Sequence, residues 1–259
     1  MNTDLSQHRA FVCGASQGIG RACAQALAEL GCAVTLVARS AAKLEAVRSA
    51  LPGDRHAIQT ADFADLASVQ DAASRTIDAH GPHTILVHNT GGPPAGRAFD
   101  AQPEDFVRAV AMHVGSGQVL VRALAPGMQD AGFGRVVNII STSVKAPIPG
   151  LGVSNATRGA VASWAKTLAN ELAPHGITVN NVLPGFTDTE RLASLFENKA
   201  SKSGSSPEAV RAQAIESIPA GRIGKPEEVA AAVAWLCTPA AAYVNGINLP
   251  VDGGRTPCL

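Results

Sequence analysis

The amino-acid sequence predicts an α/β protein built on one doubly wound parallel sheet, with helices on both faces in three layers. Runs of strand length alternate with stretches of helix length along the whole chain. The strand-like runs are continuously apolar, as in strands buried on both faces. Of 259 residues, 46% are hydrophobic and 16% charged, on the apolar side of ordinary globular composition. That length suits one large domain with a well-buried core, so residues 1–259 are read as a single unit.

The elements follow in order. Residues 10–13 form a short apolar strand, and Gly14-Ala-Ser-Gln-Gly-Ile-Gly20 is the loop after it. A helix runs to Leu30 and stops at Gly31, where a left-handed residue is cheapest. Residues 33–37 are the second strand, 41–50 a helix, 56–61 the third strand and 66–79 a helix. The fourth strand is 84–88, and a Gly/Pro-rich loop through Gly96 leads to a long helix over about 103–128. Residues 134–140 are the fifth strand, and 155–172 a helix with Trp164 on its apolar side. The sixth strand is 177–183, Pro226 opens a helix ending near Leu236, and 246–250 is the last strand. Repeated β-α-β units with short connections imply one parallel sheet. The stretch from Glu197 to Glu208 is polar and poor in apolar anchors, and the surrounding region, about 187–220, is read as a mobile lid.

Composition excludes several classes. Twenty-one basic and 21 acidic residues cancel, so no electrostatic case exists for nucleic acid or an anionic membrane. Residues 1–9 lack the apolar core of a signal peptide, and no apolar run of about 18 residues is present. A cytoplasmic protein is expected. The five cysteines form no C-x-x-C pair and read as reduced structural thiols, with no metal site. His80 and His83 flank a Gly-Pro turn and read as solvated loop residues.

Gly14, Gly18 and Gly20 lie between a strand and a helix, where the chain must turn sharply and approach an anion closely. The helix N-terminus then offers unpaired N–H groups and partial positive charge to a pyrophosphate. Alone, such a turn is also compatible with no ligand. At the end of the second strand, Ala38-Arg39 replaces the carboxylate that would accept hydrogen bonds from a ribose 2′-hydroxyl. Arg39 can instead fork onto a 2′-phosphate, which favours NADP(H) without excluding NAD(H).

The spacing Gly14-x-x-x-Gly18-x-Gly20 is accompanied by Asp62-Phe63, Asn89-Thr90-Gly91, Pro184-Gly185-Phe-Thr187-Asp-Thr189, Gly221-Arg-Ile-Gly-Lys-Pro-Glu-Glu228 and Val251-Asp-Gly-Gly254. In this order, over roughly residues 8 to 254, they resemble the short-chain dehydrogenase/reductase family, and its 3-oxoacyl-carrier-protein-reductase-like branch in particular. The resemblance implies a Rossmann-type fold and a cofactor site made of Gly14, Ser16, Gln17, Gly18, Ile19, Gly20, Arg39, Asp62, Phe63, Asn89, Gly91, Arg158, Pro184, Gly185, Thr187 and Thr189. It also implies a homotetramer or homodimer pairing helices 103–128 and 155–172, which are apolar on more than one face (Ala162, Trp164, Ala165, Leu168, Ala169).

The family's catalytic serine, tyrosine, lysine and asparagine fall, by position, on Ser141, Ser154, Arg158 and His113. The chain's one tyrosine, Tyr243, lies outside any such motif. Ser141 can still hold a carbonyl oxygen. Arg158 keeps the positive charge but cannot relay a proton. Ser154 is a far poorer acid than tyrosine. His113 and Lys145 are therefore candidate proton donors. The expected activity is NADP(H)-dependent oxidoreduction of a small carbonyl or alcohol with an atypical proton donor. The alternatives are a catalytically silent NADP(H)-binding sensor or assembly protein, and non-redox chemistry in the same pocket.

Overall fold

The computed structural model describes residues 2–258. Seven parallel strands, β1 (Arg9–Cys13), β2 (Ala33–Ala38), β3 (Ala57–Thr60), β4 (Ile85–His88), β5 (Gly134–Ile139), β6 (Ile177–Pro184) and β7 (Asn248–Val251), form one sheet in the order β3-β2-β1-β4-β5-β6-β7. This is the expected three-layer Rossmann-type fold. The order reverses at β1, so the chain leaves β1 and β4 in opposite directions and opens a crevice at their C-terminal ends.

Side chains alternate across β1. Ala10 and Val12 join a core under helices α1 (Gly18–Glu29), α2 (Ala41–Arg48) and α9 (Pro226–Cys237). Phe11 and Cys13 join the opposite core under α3 (Leu66–His80), α5 (Ser116–Asp130) and α6 (Gly152–Leu172). Both faces are covered, which is why the strands read as apolar runs.

Three expectations are corrected. The long helix expected over 103–128 is α4 (Pro103–Val110), a π-helical turn at Ala111–Gly115, and then α5. The wide turn carries His113 into the interior, at 1% exposure. Helix α6 starts three residues earlier than expected, at Gly152, where a Cβ would lie 2.3 Å from the Ala98 backbone nitrogen. His83 is fully buried rather than solvated, its Nε2 2.9 Å from the Thr35 hydroxyl and its Nδ1 3.0 Å from the Gly81 carbonyl. Of the apolar residues named on α6, Ala162, Ala165, Leu168 and Ala169 are buried within the chain and Trp164 is half-buried.

Most of the polar stretch 197–208 is helical. It belongs to a helical hairpin, α7 (Glu190–Ser203) and α8 (Pro207–Glu216). Thr189 and Ser206 cap the two N-termini through their hydroxyls, and Gly204, at φ +68°, ends α7. Leu192, Phe196, Ala200, Val210 and Ala214 recur at helical spacing and form a small core of their own with Ile218 and Ile223. Because this core is separate from the sheet cores, Phe196→Ala is expected to loosen the hairpin by about 3 kcal/mol. Hydrogen exchange should then speed up across 190–216 while the strands stay protected; uniform loss of protection would contradict a separate unit.

Candidate active site

The glycine loop is held by contacts that leave no room for a side chain. Gly14 and Gly18 have φ of +62° and +53°, and a Cβ on Gly20 would lie 2.2 Å from the Gly14 carbonyl oxygen and 2.9 Å from Asn89 Nδ2. Asn89 donates from Nδ2 to the Cys13 carbonyl at 3.4 Å, tying the end of β4 to the end of β1. Gln17, the N-cap of α1, does not use its side chain to cap the helix, and the first turn holds no acid. The first-turn N–H groups and the helix partial charge therefore face the crevice without a competing side-chain cap.

Arg39 and Ser40 follow β2 at the crevice edge, and Lys43 on the first turn of α2 donates from Nζ to Gln17 Oε1 at 3.3 Å. Sequence reasoning missed Lys43. Its signal was Ser40 as N-cap, accepting from the Lys43 amide, which turns that lysine back over the glycine loop. Lys43 thus stands as a second cation beside Arg39 at this edge of the cleft.

A single cleft of about 1590 Å³ joins this region to the C-terminal ends of β4, β5 and β6. Of the residues expected at the site, all line it except Gly20, which packs behind the loop, and His113 and Lys145. The cradle that a Cβ would fill, the open helix N-terminus and the flanking cations fit a dinucleotide with an additional phosphate. Thr187 is buried at the cleft wall, and Thr189 sits over Gly18, its methyl 3.2 Å from where a Cβ would be.

At the far end, Ser141 lies two residues beyond β5 and caps a short 3-10 turn at Thr142–Val144, its oxygen accepting the Ser143 amide at 3.1 Å. That acceptance leaves the hydroxyl proton to point elsewhere. Beneath it, Asn138 Nδ2 donates to Asn181 Oδ1 at 2.9 Å and Asn181 Nδ2 to Asn248 Oδ1 at 2.8 Å, an amide ladder across β5, β6 and β7. Ser154 and Arg158 lie one turn apart on α6 and both line the cleft. Arg158 is 7% exposed, donates from Nη1 to the Ile139 carbonyl at 3.2 Å and has no partner for Nε. Burial first, then the nearby Arg191 charge, lowers its pKa to about 10, so it stays cationic at neutral pH.

The two candidate proton donors are not in the cleft. His113 Nδ1 lies 2.5 Å from the Thr90 hydroxyl, and burial, reinforced by Arg158, drives its pKa to about 2. It is neutral at any ordinary pH. Lys145 follows the 3-10 turn outside the cleft lining. Tyr243 is fully exposed on the turn after α9, also outside the lining. No group of metal-ligating side chains occurs among the described residues, and no described helix is long and apolar enough to cross a membrane.

Residues 14–256 match the family model described as enoyl-(acyl carrier protein) reductase. The chain belongs to the short-chain dehydrogenase/reductase family. It is 32% identical over 247 residues to the 3-oxoacyl-[acyl-carrier-protein] reductase of Vibrio cholerae, covering 95% of this chain and 96% of that one. The L-sorbose reductase of Gluconobacter frateurii, solved with NADPH and L-sorbose, superposes with a TM-score of 0.94 at 28% identity over 100% of both chains. An NADPH-bound short-chain oxidoreductase of Pseudomonas aeruginosa PAO1, described as containing an atypical catalytic center, gives a TM-score of 0.88 at 30% identity over 99% of both.

His83 and His88 share the environment of His113: burial lowers their pKa values to about 3 and about 4. In the unfolded chain all three titrate near 6.5. Their folded values are depressed, so their contribution is fully present above about pH 6.5 and is lost as pH falls. Each is expected to remove up to about 1.4 kcal/mol per pH unit below that point. Urea unfolding between pH 7 and 5 should show a steep loss that flattens in His113→Asn; equal stability at both pH values would mean the folded protein accepts these protons.

Proposed function

We propose that this enzyme is an NADP(H)-dependent oxidoreductase interconverting a small-molecule carbonyl and its alcohol, with a proton source other than the side chain at position 154. One observation carries the reading. A single cleft runs from the cations at the end of β2, past the glycine cradle, to Ser141, Ser154 and Arg158. The NADPH-bound relatives support the same cofactor, and their differing substrates support no particular one. That the named relatives are reductases weighs against a silent sensor.

When bound, NADPH supplies the hydride. Gly14, Gly18 and the first turn of α1 would hold the pyrophosphate, and Arg39, Ser40 and Lys43 the 2′-phosphate. Arg39→Ala and Lys43→Ala are each expected to weaken NADPH binding about tenfold in fluorescence titration and leave NADH unchanged. Equal losses for both dinucleotides would remove the assignment.

Ser141 donates a hydrogen bond to the substrate oxygen, and Arg158 stabilises the charge developing there. Ser154 orients the substrate or a water. His113, sealed and neutral, and Lys145, outside the lining, do not deliver the proton; water admitted to the cleft does. Positioned acid–base catalysis is worth about 10²–10⁴-fold, whereas holding the reactants together is worth about 7–11 kcal/mol. Slow turnover therefore survives without a tyrosine. The α7–α8 hairpin serves as the lid, and assembly follows the family's homotetramer or homodimer.

Single-turnover absorbance at 340 nm across a carbonyl panel tests redox function: oxidation of bound NADPH is expected, and its survival with every substrate would favour the sensor. Ser141→Ala should lower kcat about 10²-fold, while His113→Ala and Lys145→Ala leave the pH–rate profile unchanged. A basic or acidic limb lost in either variant would identify the donor instead.

A further inference from the structure

The cleft contains a cation pair that neither the cradle nor the hydroxyls explain. Arg158 is buried, its Nε has no partner and it forms no salt bridge among the described residues, while its Nη1 donates to the Ile139 carbonyl. Arg191, on the first turn of α7, reaches across to donate from Nη2 to the Pro93 carbonyl at 2.6 Å. A single point beside Gly92, where a Cβ would be, is 3.6 Å from Arg158 Nη2 and 3.5 Å from Arg191 Nη2. Two guanidinium groups thus converge beside Gly92, with their Nη2 atoms close enough for one oxyanion to reach both.

The carboxylates at the cleft edge do not neutralise them. Asp100 pairs with Arg97 at 3.2 Å, Asp105 with Arg108, and Asp188 with Arg211 at 3.3 Å. Glu190 lines the cleft but is exposed and makes no ion pair among the described residues. A buried guanidinium without a counter-charge is costly to fold around, and a second cation beside it raises that cost. The arrangement makes sense when an oxyanion sits between them, accepting from both forks.

We propose that Arg158 and Arg191 bind the carboxylate of an oxo-acid substrate. This rests on the reductase reading above and names the substrate class within it. Arg158 is tied to the end of β5 two residues before Ser141, so an acid group held there leaves a carbonyl one or two bonds away close to the Ser141 hydroxyl. Arg191 comes from the lid hairpin, so the same carboxylate draws α7 onto the cleft. The shared chemistry, a compact oxyanion, could also come from the cofactor pyrophosphate, and the test separates the two.

Isothermal titration of the NADP⁺-saturated protein would compare 2-oxobutyrate with its methyl ester, in the wild type and in Arg191→Gln. Fluorescence titration with NADPH would be run on the same samples. The acid should bind about tenfold tighter than the ester, and Arg191→Gln should erase that preference while changing NADPH affinity less than about twofold. Equal binding of acid and ester, or binding of neither, overturns the proposal. A tenfold loss of NADPH affinity in Arg191→Gln overturns it too, because the pair then serves the pyrophosphate. Failure of the wild type to bind NADPH at all would instead remove the reductase reading.

Discussion

Much of this molecule hangs on the close approach of three backbone segments where the strand order reverses. Gly20 lies so near the Gly14 carbonyl that a Cβ there would fall 2.2 Å from it, and Asn89 closes the same contact from β4. With the segments that close, α1 points its N-terminus into the crevice between β1 and β4. Strands β5 and β6 then deliver Ser141 and Pro184 to the same edge. A parallel sheet makes this unavoidable, because all its strands end on one side. One edge collects the loops, and one cleft results.

The electrostatics of that cleft run opposite to the usual pairing of buried charge. Two histidines next to residues that line it, His88 and His113, are held neutral by burial, whereas Arg158 stays charged with no ion pair among the described residues. The neutral histidines and the uncompensated arginine follow from one cause. Removing water penalises the charged form, and histidine can escape by losing its proton at little cost while arginine cannot. A site built this way is electropositive and favours anions.

The α7–α8 hairpin shows how composition can mislead about structure. Residues 197–208 are polar enough to suggest a loop, yet their apolar neighbours recur every three or four positions, and three caps define the ends. A helix needs only one buried stripe, so a short amphipathic hairpin can be mostly polar. The π-turn at Ala111–Gly115 is the converse case. Its residues look like continuous helix, and only the packing of His113 toward Thr90 shows where the ladder widens.

The order of strands and helices, the glycine turn and most of the positions that line the cleft were legible in the chain, because each depends on local periodicity or on a glycine that nothing else can replace. Ser141, Ser154 and Arg158 were legible as a group through their spacing along β5 and α6. Lys43, Arg191 and the burial of His83 and His113 were not. Those depend on which surfaces meet after folding: Lys43 reaches Gln17 across 26 residues, and Arg191 reaches Pro93 across 98. Sequence determines which segments become strands, turns and helices, since neighbouring residues decide it. Tertiary structure alone decides which charges lose their water and which cations share a space, since solvent exclusion is set by elements distant in the chain.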